Sequence, residues 1–263
     1  MPAGLLATDM DRTLLPNGLQ DPEPGALDRF REWAGRRSPH QLAFVTGRHR
    51  ALALEVVAEY RLPEPDWLVC NVGTEIYAAG EERPLGPWEE ALERGFDPEA
   101  VREWARGALP GARLQEAAKQ SPLKVSFYLD EEPDASALQE RLEAGLREGS
   151  RAARVVVSFD ETEERGLVDF LAPGSGKANA LDFLRRHLGL SQEQVLYAGD
   201  SGNDADALLS GVCGVLVGNA TESVRDQLRA ELGNHPAARL YFARRPYTAG
   251  ILEGMAHYGW EEP

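Results

Sequence analysis

Near its start the chain runs Leu5-Leu6-Ala7-Thr8-Asp9-Met10-Asp11-Arg12-Thr13-Leu14-Leu15. The apolar run is typical of a buried parallel strand, and ligands of open α/β sheets bind just beyond the carboxyl ends of such strands. Asp9 and Asp11 therefore follow a strand at the point where such sheets carry their chemistry. Two acids this close repel each other unless a cation lies between them, and Mg²⁺ suits carboxylate, carbonyl and water ligands. The alternative interpretation is a strand followed by a helix, with Asp11 or Thr13 as its N-cap.

Composition limits the class of protein. The 263 residues have a formal net charge of −15, and 43% are hydrophobic and 27% charged, the balance of a globular protein. Nucleic acid is not an expected partner, because contacts with its phosphates need basic patches. A small phosphorylated substrate held by a local cation is compatible with the negative net charge. No apolar stretch approaches the ~20 residues that span a bilayer, and the N-terminus lacks a signal-peptide pattern. We therefore expect a cytoplasmic protein without a membrane partner, and a monomer.

Strand and helix patterns alternate at the two ends of the chain. Apolar strands are predicted at Leu5–Thr8, Gln41–Val45 and Trp67–Cys70, with helical segments between them. The pattern returns with a helix at Lys177–Leu188 and a strand at Gln194–Ala198. This order predicts an α/β fold with a doubly wound, Rossmann-like parallel sheet.

The middle of the chain has a different pattern. Over Lys124–Asp130, apolar residues alternate with polar ones, which is typical of a half-buried strand. Arg154–Phe159 and Leu167–Leu171 predict a hairpin. We therefore predict an inserted α+β cap domain over residues 82–172, and a core formed by residues 1–81 and 173–263. Linkers near Arg83–Pro87 and Pro173–Gly176 are candidate hinges.

Four polar clusters follow strands or begin helices of the predicted core. They are Asp9–Thr13, Thr46-Gly47-Arg48 after the second strand, Lys177 at the start of a helix, and Gly199-Asp200-Ser201-Gly202-Asn203-Asp204 after the strand Gln194–Ala198. Each cluster alone reads equally well as a turn or a helix cap. Their shared placement at the carboxyl edge of one sheet favours a single site.

With these clusters in this order, the chain resembles phosphatases of the haloacid dehalogenase (HAD) superfamily. The resemblance covers nearly the whole chain, and the insert is similar to the type IIB cap of that superfamily. Some segments look closer to the sucrose-phosphate phosphatase group. They are Val72–Tyr77, Lys124–Asp130, Lys177–Leu181 and Gly199–Asp204.

The resemblance implies a Mg²⁺-dependent phosphatase acting on a sugar phosphate, with sucrose 6-phosphate the first substrate expected. It implies Asp9 as a nucleophile that forms an aspartyl phosphate, and Asp11 as the acid and base, with a raised pKa. The expected metal ligands are Asp9, the backbone carbonyl of Asp11, and Asp200. Asp204 is expected to act through water or by orienting Lys177, and its alternative role is a helix N-cap.

The remaining site residues are expected to hold substrate. Thr46, Gly47 and Arg48 would bind the phosphate, and Lys177 would balance its charge in the transition state. Sugar hydroxyls are assigned to Glu75, in the loop after the third strand, and to Lys124, Asn179 and Asn203. For Lys124 a surface salt bridge stays open as the alternative.

Arg12 departs from the small or amide residue common at its position in the family. We expect it to face solvent rather than to contact the cap or the substrate.

Several other functions stay open. Related phosphatases act on mannosylfructose phosphate, kanosamine phosphate or a broad range of sugar phosphates. A phosphomutase would return the phosphoryl group to another hydroxyl, and a sugar-phosphate sensor would bind without turnover.

Overall fold

Two β-sheets organise the chain. The computed structural model describes residues 3–92, 95–160 and 163–260. The strands are β1 (Leu5–Asp9), β2 (Gln41–Val45), β3 (Trp67–Cys70), β4 (Glu75–Ala78), β5 (Arg113–Leu114), β6 (Lys124–Leu129), β7 (Arg154–Asp160), β8 (Arg165–Leu171), β9 (Val195–Gly199), β10 (Cys213–Leu216) and β11 (Arg239–Phe242). The helices are α1 (Ala26–Gly35), α2 (Arg50–Glu59), α3 (Gly86–Leu92), α4 (Pro98–Ala108), α5 (Ala135–Glu148), α6 (Lys177–His187), α7 (Ala205–Leu208), α8 (Glu222–Glu231) and α9 (Tyr247–His257).

The larger sheet has seven strands in the order β11-β10-β9-β1-β2-β3-β4. All neighbours are parallel except β4, which is antiparallel to β3. β1 lies between β2 and β9, and all five of its residues are buried. A strand in this position needs an apolar run because both of its faces are covered.

Helices cover both faces of the larger sheet. Leu6 of β1 packs in a cluster with residues of α1, α2 and α9, whereas Leu5 and Ala7 pack with residues of α3, α6, α7 and α8. Successive side chains of a strand point to opposite faces, so one strand contributes to both layers. The predicted doubly wound α/β architecture is confirmed.

The smaller sheet has four antiparallel strands in the order β5-β6-β8-β7. The predicted β7–β8 hairpin is present. Val125 and Phe127 of β6 pack in a cluster with residues of α4 and α5. The opposite face carries Lys124 and Ser126, and directly across from them on β8 lie Leu171 and Asp169. Both of these polar β6 residues are buried, so this face is covered rather than solvated.

Other elements differ from the pattern-based prediction. Glu75 begins β4 instead of lying in a loop, and β11, α8 and α9 were not predicted. Trp88 and Leu92 of α3 pack in the cluster of the larger sheet, although residues 82–172 were predicted to form the cap. The domain boundaries stay a prediction. Within the described ranges, no helix combines the length and apolar character needed to span a membrane.

Candidate active site

The carboxyl ends of the central strands bring the predicted clusters together. Asp9 is the last residue of β1 and pairs in register with Val45, the residue before Thr46. Asp200 directly follows β9, the other neighbour of β1, and Lys177 is the first residue of α6. Parallel strands end at a common edge, so residues far apart in sequence converge there.

The segment after β1 is an irregular turn rather than the start of a helix. Met10–Leu14 forms a single wide turn in which Arg12 has a positive φ of 58°, and α1 begins only at Ala26. The alternative of a capped helix, with Asp11 or Thr13 as the cap, is therefore wrong. Instead, the Thr13 hydroxyl donates to Oδ1 of Asp200 at 3.1 Å.

Three buried carboxylates form an acidic cluster. Asp9, Asp200 and Asp204 each offer an oxygen, and these oxygens lie within 4.8 Å of one another. Burial raises the pKa of Asp9 well above its ordinary value, with the charges of Asp204 and Asp200 adding to the effect against the opposing charge of Lys177. Burial, and then the charge of Asp204, raises the pKa of Asp200 to about 7. A set of oxygen ligands this crowded suits a hard divalent cation.

Lys177 is the central cation of the cluster. Its buried ammonium lies 3.0 Å from Oδ1 of Asp9, 2.8 Å from Oδ1 of Asp204 and 3.0 Å from Oδ1 of Asn203. Burial alone would lower the pKa of Lys177, but the charges of Asp204 and Asp9 outweigh burial and raise it. The ammonium therefore stays protonated beside Asp9.

Asp204 is fully occupied by hydrogen-bond donors. Its Oδ1 accepts from Lys177 and from the Tyr197 hydroxyl at 2.5 Å, and its Oδ2 accepts from the amide of Asp200 and from the amide and hydroxyl of Ser201. A carboxylate has about four lone-pair positions, so five donors leave no free position for a metal. This geometry favours Asp204 as the residue that orients Lys177. Its alternative role as the N-cap of α7 is wrong, because its side chain makes no capping hydrogen bond to that helix.

Asp11 lies outside the acidic cluster, in a bidentate pair with Arg48. Nε and Nη2 of Arg48 donate to the two oxygens of Asp11 at 2.7 and 2.6 Å, and Asn17 donates to Oδ1 at 2.8 Å. Burial would raise the pKa of Asp11, but the hydrogen bonds and charge of Arg48 lower it below its ordinary value. The expected raised pKa is therefore wrong for this arrangement. Arg48, predicted to bind phosphate, is engaged with Asp11 instead.

Arg12 contacts the acidic cluster. Its Nε lies 3.3 Å from Oδ2 of Asp200, and its side chain is 16% exposed. The prediction that Arg12 faces solvent is wrong, because its guanidinium pairs with the buried carboxylate of Asp200 within the irregular turn.

Thr46 and Gly47 lie between β2 and Arg48. Thr46 is fully buried, and its hydroxyl oxygen accepts from the amide of Arg48 at 3.1 Å. Its own amide donates to Val69, the penultimate residue of β3, which extends the parallel pairing of β2 and β3.

The predicted sugar ligands have varied surroundings. Lys124 is 3% exposed on the face of β6 described above, so the surface salt bridge is not its role. Glu75 accepts from the Tyr77 hydroxyl at 2.8 Å, and Asn179 donates to the carbonyl of Ser175 at 3.2 Å. Asn203 contacts Lys177.

Three structural partners of the site were missed in the sequence. They are Asn17 on Asp11, Tyr197 on Asp204, and Val72, which packs against the smaller sheet. Tyr197 had a usable signal, because it is a phenol inside the apolar strand Val195–Gly199, three residues before Asp200.

Comparisons with known proteins identify similar chains. The model of the family described as sucrose-6F-phosphate phosphohydrolase matches residues 2–259. The chain is 37% identical to a putative HAD-like hydrolase of Nitrosococcus oceani, over 97% of this chain and 71% of that protein. It is 30% identical to the mannosylfructose-phosphate phosphatase of Agrobacterium fabrum, over 98% of both. It spans 60% of the length of probable sucrose-phosphatase 2 of Arabidopsis thaliana.

A solved structure of 29% identity is similar over nearly its whole length. The sucrose-phosphatase from Synechocystis sp. PCC6803, in complex with sucrose and phosphate, matches with a TM-score of 0.84 and 29% identity. The match covers 97% of this chain and 98% of that one.

Proposed function

We propose that this chain, which belongs to the sucrose-6F-phosphate phosphohydrolase family of the HAD superfamily, hydrolyses a disaccharide phosphate. The members of that family are phosphoric monoester hydrolases. Sucrose 6-phosphate is the first substrate to test. The observation that carries the proposal is the buried pair of Asp9 and Lys177, with 3.0 Å between carboxylate and ammonium at the carboxyl edge of the larger sheet. A phosphate monoester is a dianion, which an unneutralised carboxylate would repel.

Asp9 is the proposed nucleophile. Its carboxylate attacks phosphorus, the bond between phosphorus and the sugar oxygen breaks, and an aspartyl phosphate forms that water then hydrolyses. Lys177 stabilises the charge that develops on the phosphoryl oxygens. Asp204 supports this role because four other donors fix its carboxylate, which in turn holds the ammonium of Lys177.

The donor set fits Mg²⁺. Carboxylate oxygens of Asp9 and Asp200 lie close together, and Oδ2 of Asp200 is buried and accepts no hydrogen bond among the described residues, although it lies 3.3 Å from Nε of Arg12. When bound, the ion would neutralise and orient the substrate phosphate. Asp9, Asp200 and the backbone carbonyl of Asp11 would hold it.

Asp11 is proposed to protonate the leaving sugar oxygen and then to accept a proton from water. Both of its oxygens are bound by Arg48, so this role requires the guanidinium to change partner. A substrate phosphate held by Thr46 and Gly47 would compete for Arg48, because guanidinium groups bind phosphate through paired, charge-assisted hydrogen bonds. We therefore assign Arg48 to Asp11 before substrate binds and to the phosphate afterwards.

The sugar is proposed to lie against the smaller sheet. In the described part of the chain, the largely buried side chain of Lys124 makes no hydrogen bond or ion pair through its ammonium, and the buried side-chain oxygen of Asn71 accepts no hydrogen bond. An unpartnered buried polar group such as the Asn71 oxygen costs about 1–3 kcal/mol, and sugar hydroxyls would satisfy it and bind the Lys124 ammonium. Glu75, Asn179 and Asn203 complete the proposed subsite.

A phosphate-release assay with Mg²⁺ tests the substrate. The panel comprises sucrose 6-phosphate, mannosylfructose phosphate, kanosamine phosphate and simple hexose phosphates. We expect the highest kcat/KM for a disaccharide phosphate, and a preference for hexose phosphates would contradict the proposal. Transfer of labelled phosphate to a second sugar position, without free phosphate, would indicate a phosphomutase.

Matched lysine variants test the sugar subsite. Lys124→Met should raise KM for the preferred sugar phosphate and leave p-nitrophenyl phosphate hydrolysis unchanged. Lys119→Met is the control, because Lys119 is already paired with Tyr128 and Glu116. Equal effects of the two variants would remove Lys124 from the subsite.

We also propose the domain division predicted from sequence, with a core of residues 1–81 and 173–263 and a cap of residues 82–172. Closure about the linkers would exclude water from the site. A monomeric state and a cytoplasmic location stay predictions.

A further inference from the structure

Val72 has a backbone conformation that its side chain disfavours. Its φ is 59° and its ψ is 32°, between Asn71 with a φ of 50° and Gly73 with a φ of 87°. Glycine adopts this left-handed region freely and asparagine tolerates it, whereas a β-branched residue there is an outlier. Such strain persists only where the surrounding structure imposes it, and it is concentrated at functional sites.

Two neighbouring segments impose this conformation. The amide of Val72 donates to the carbonyl of Thr46 at 3.0 Å, and the amide of Asn71 donates to the carbonyl of Arg48 at 2.9 Å. On the other side, a Cβ at Gly73 would lie 2.4 Å from the carbonyl carbon of Gly176 and 2.8 Å from the amide nitrogen of Lys177. Residues 71–73 are therefore wedged between the phosphate loop, defined here as Thr46–Arg48, and the start of α6.

The side chain of Val72 reaches the smaller sheet. It is 5% exposed and forms a separate apolar cluster with Val156 of β7 and Leu171 of β8. A Cβ at Gly47 would lie 3.8 Å from Cγ2 of Val72, so the same side chain also covers the phosphate loop. A second link between the sheets, the ion pair of Arg154 and Asp206, is partly exposed and therefore screened by solvent.

We propose that Val72 is a positioning residue that seats the smaller sheet on the phosphate loop. Glycine or asparagine would fit the backbone with less strain, and what valine adds is the apolar contact with Val156 and Leu171. The contact holds the sugar-binding face of β6 and β8 at a fixed distance from Gly47 and keeps water from the phosphate. The inference rests on the proposed function, because it assumes that the phosphate loop and this face bind one substrate.

Substitutions at Val72 separate backbone strain from side-chain contact. Val72→Ala keeps most of the strain and loses the contact, whereas Val72→Gly loses both. The glycine variant should therefore be at least as heat-stable as the alanine variant, the reverse of the usual order. Both should lose about tenfold in kcat/KM for the sugar phosphate, the expected effect of losing one valine contact. Hydrolysis of p-nitrophenyl phosphate, which offers nothing to the smaller sheet, should change much less.

Conservative and matched variants complete the set. Val72→Ile keeps an apolar β-branched side chain and should retain activity on the sugar phosphate. Arg61→Gly is the control. Arg61 also has a positive φ, of 47°, but it lies in the turn after α2, away from the contact of Val72 with the smaller sheet. It should leave kcat/KM unchanged. Equal losses on both substrates, or wild-type kcat/KM in the alanine and glycine variants, would overturn the proposal.

A distance measurement keeps this test independent of turnover. Spin labels at Glu55 on α2 and Glu148 on α5, both exposed, report the separation of the two sheets. With Mg²⁺, sucrose and inorganic phosphate present to keep the domains closed, we expect one narrow distance distribution in the parent protein and in Arg61→Gly, and a broader or longer one in Val72→Gly. Unchanged distributions would refute the seating role. Failure of the parent protein to hydrolyse any sugar phosphate would instead refute the proposed function.

Discussion

Tyr197→Phe should weaken both the fold and the reaction by removing a single hydroxyl group. Tyr197 is fully buried on β9, and its hydroxyl donates to Oδ1 of Asp204 at 2.5 Å. A hydrogen bond to a charged group contributes about 1.5–3 kcal/mol, so the free energy of unfolding should fall by about 2 kcal/mol. For a chain of this size that corresponds to a Tm lower by roughly 4–8 °C.

The same change should reach the reaction through Lys177. Without the phenol, Oδ1 of Asp204 keeps only the ammonium of Lys177 as a donor, and the carboxylate is free to shift. Lys177 also contacts Asp9, so its displacement should lower kcat by about tenfold, a loss of about 1.4 kcal/mol of transition-state stabilisation. KM should stay unchanged because, among the described residues, the Tyr197 hydroxyl bonds to Asp204 and to no residue of the proposed sugar subsite. Thermal unfolding and steady-state phosphate release measure the two effects.

Tyr258→Phe is the matched control for this prediction. The Tyr258 hydroxyl donates to the carbonyls of Gly214 and Arg239, on the same sheet but outside the acidic cluster. It should lower Tm without changing kcat. In a double-mutant cycle, Tyr197→Phe should add little to Asp204→Asn, because both act through one carboxylate. Equal losses of kcat in the two phenylalanine variants, or additive effects in the cycle, would refute the reasoning.

Four further predictions concern the acidic cluster. Asp9→Asn should reduce kcat by at least about 10³-fold without loss of fold, and turnover that survives the substitution would contradict the role of Asp9 as nucleophile. EDTA should abolish activity until Mg²⁺ is restored, and turnover that survives EDTA would contradict the need for a metal ion. In metal-free protein the raised pKa of Asp9, and that of Asp200 at about 7, mean that the folded state binds protons more tightly than the unfolded state. The stability of the metal-free protein should therefore fall as pH rises from about 4 to 7, and addition of Mg²⁺ at pH 8 should restore it. Melting curves in EDTA that do not vary with pH would contradict this prediction. Arg12→Gln removes a guanidinium that lies 3.3 Å from Asp200 and competes with Mg²⁺ for its carboxylate. Calorimetry should therefore show a Kd for Mg²⁺ several-fold lower than that of the parent protein. Weaker binding of Mg²⁺ would contradict this competing role of Arg12.

The fold was predictable where local pattern and burial coincide. β1, β2 and β3 are apolar runs buried on both faces, and their predicted bounds agree with the structure to within one residue. β4 has four residues and runs antiparallel, a short pairing that local sequence does not specify. α9 was missed because most of its residues, Tyr247–Leu252 among them, are buried, so it has no polar face to mark the helical period.

From the sequence, the site was predictable only for the residues that lie at the ends of strands. Asp9 ends β1 and Asp200 directly follows the adjacent strand β9, so the sheet itself brings them together. The bidentate pairing of Asp11 with Arg48 depends on the irregular turn after β1, where Arg12 adopts a positive φ. Tyr197 is a phenol inside the apolar strand β9, but that signal does not identify Asp204 as the acceptor of its hydroxyl. Side-chain partners of this kind depend on rotamers and turns, which composition and periodicity do not encode.

The charges of the site explain how an acidic chain can bind a dianion. Among the described residues, four carboxylates at this edge face three cations: Asp9, Asp11, Asp200 and Asp204 against Lys177, Arg12 and Arg48. With all four carboxylates ionised, the local balance is one negative charge, and a divalent cation would make it one positive charge. Charges elsewhere on the chain contribute little, because salt screens exposed charges beyond about 10 Å. In the proposed reaction, metal binding therefore precedes phosphate binding and makes it electrostatically favourable.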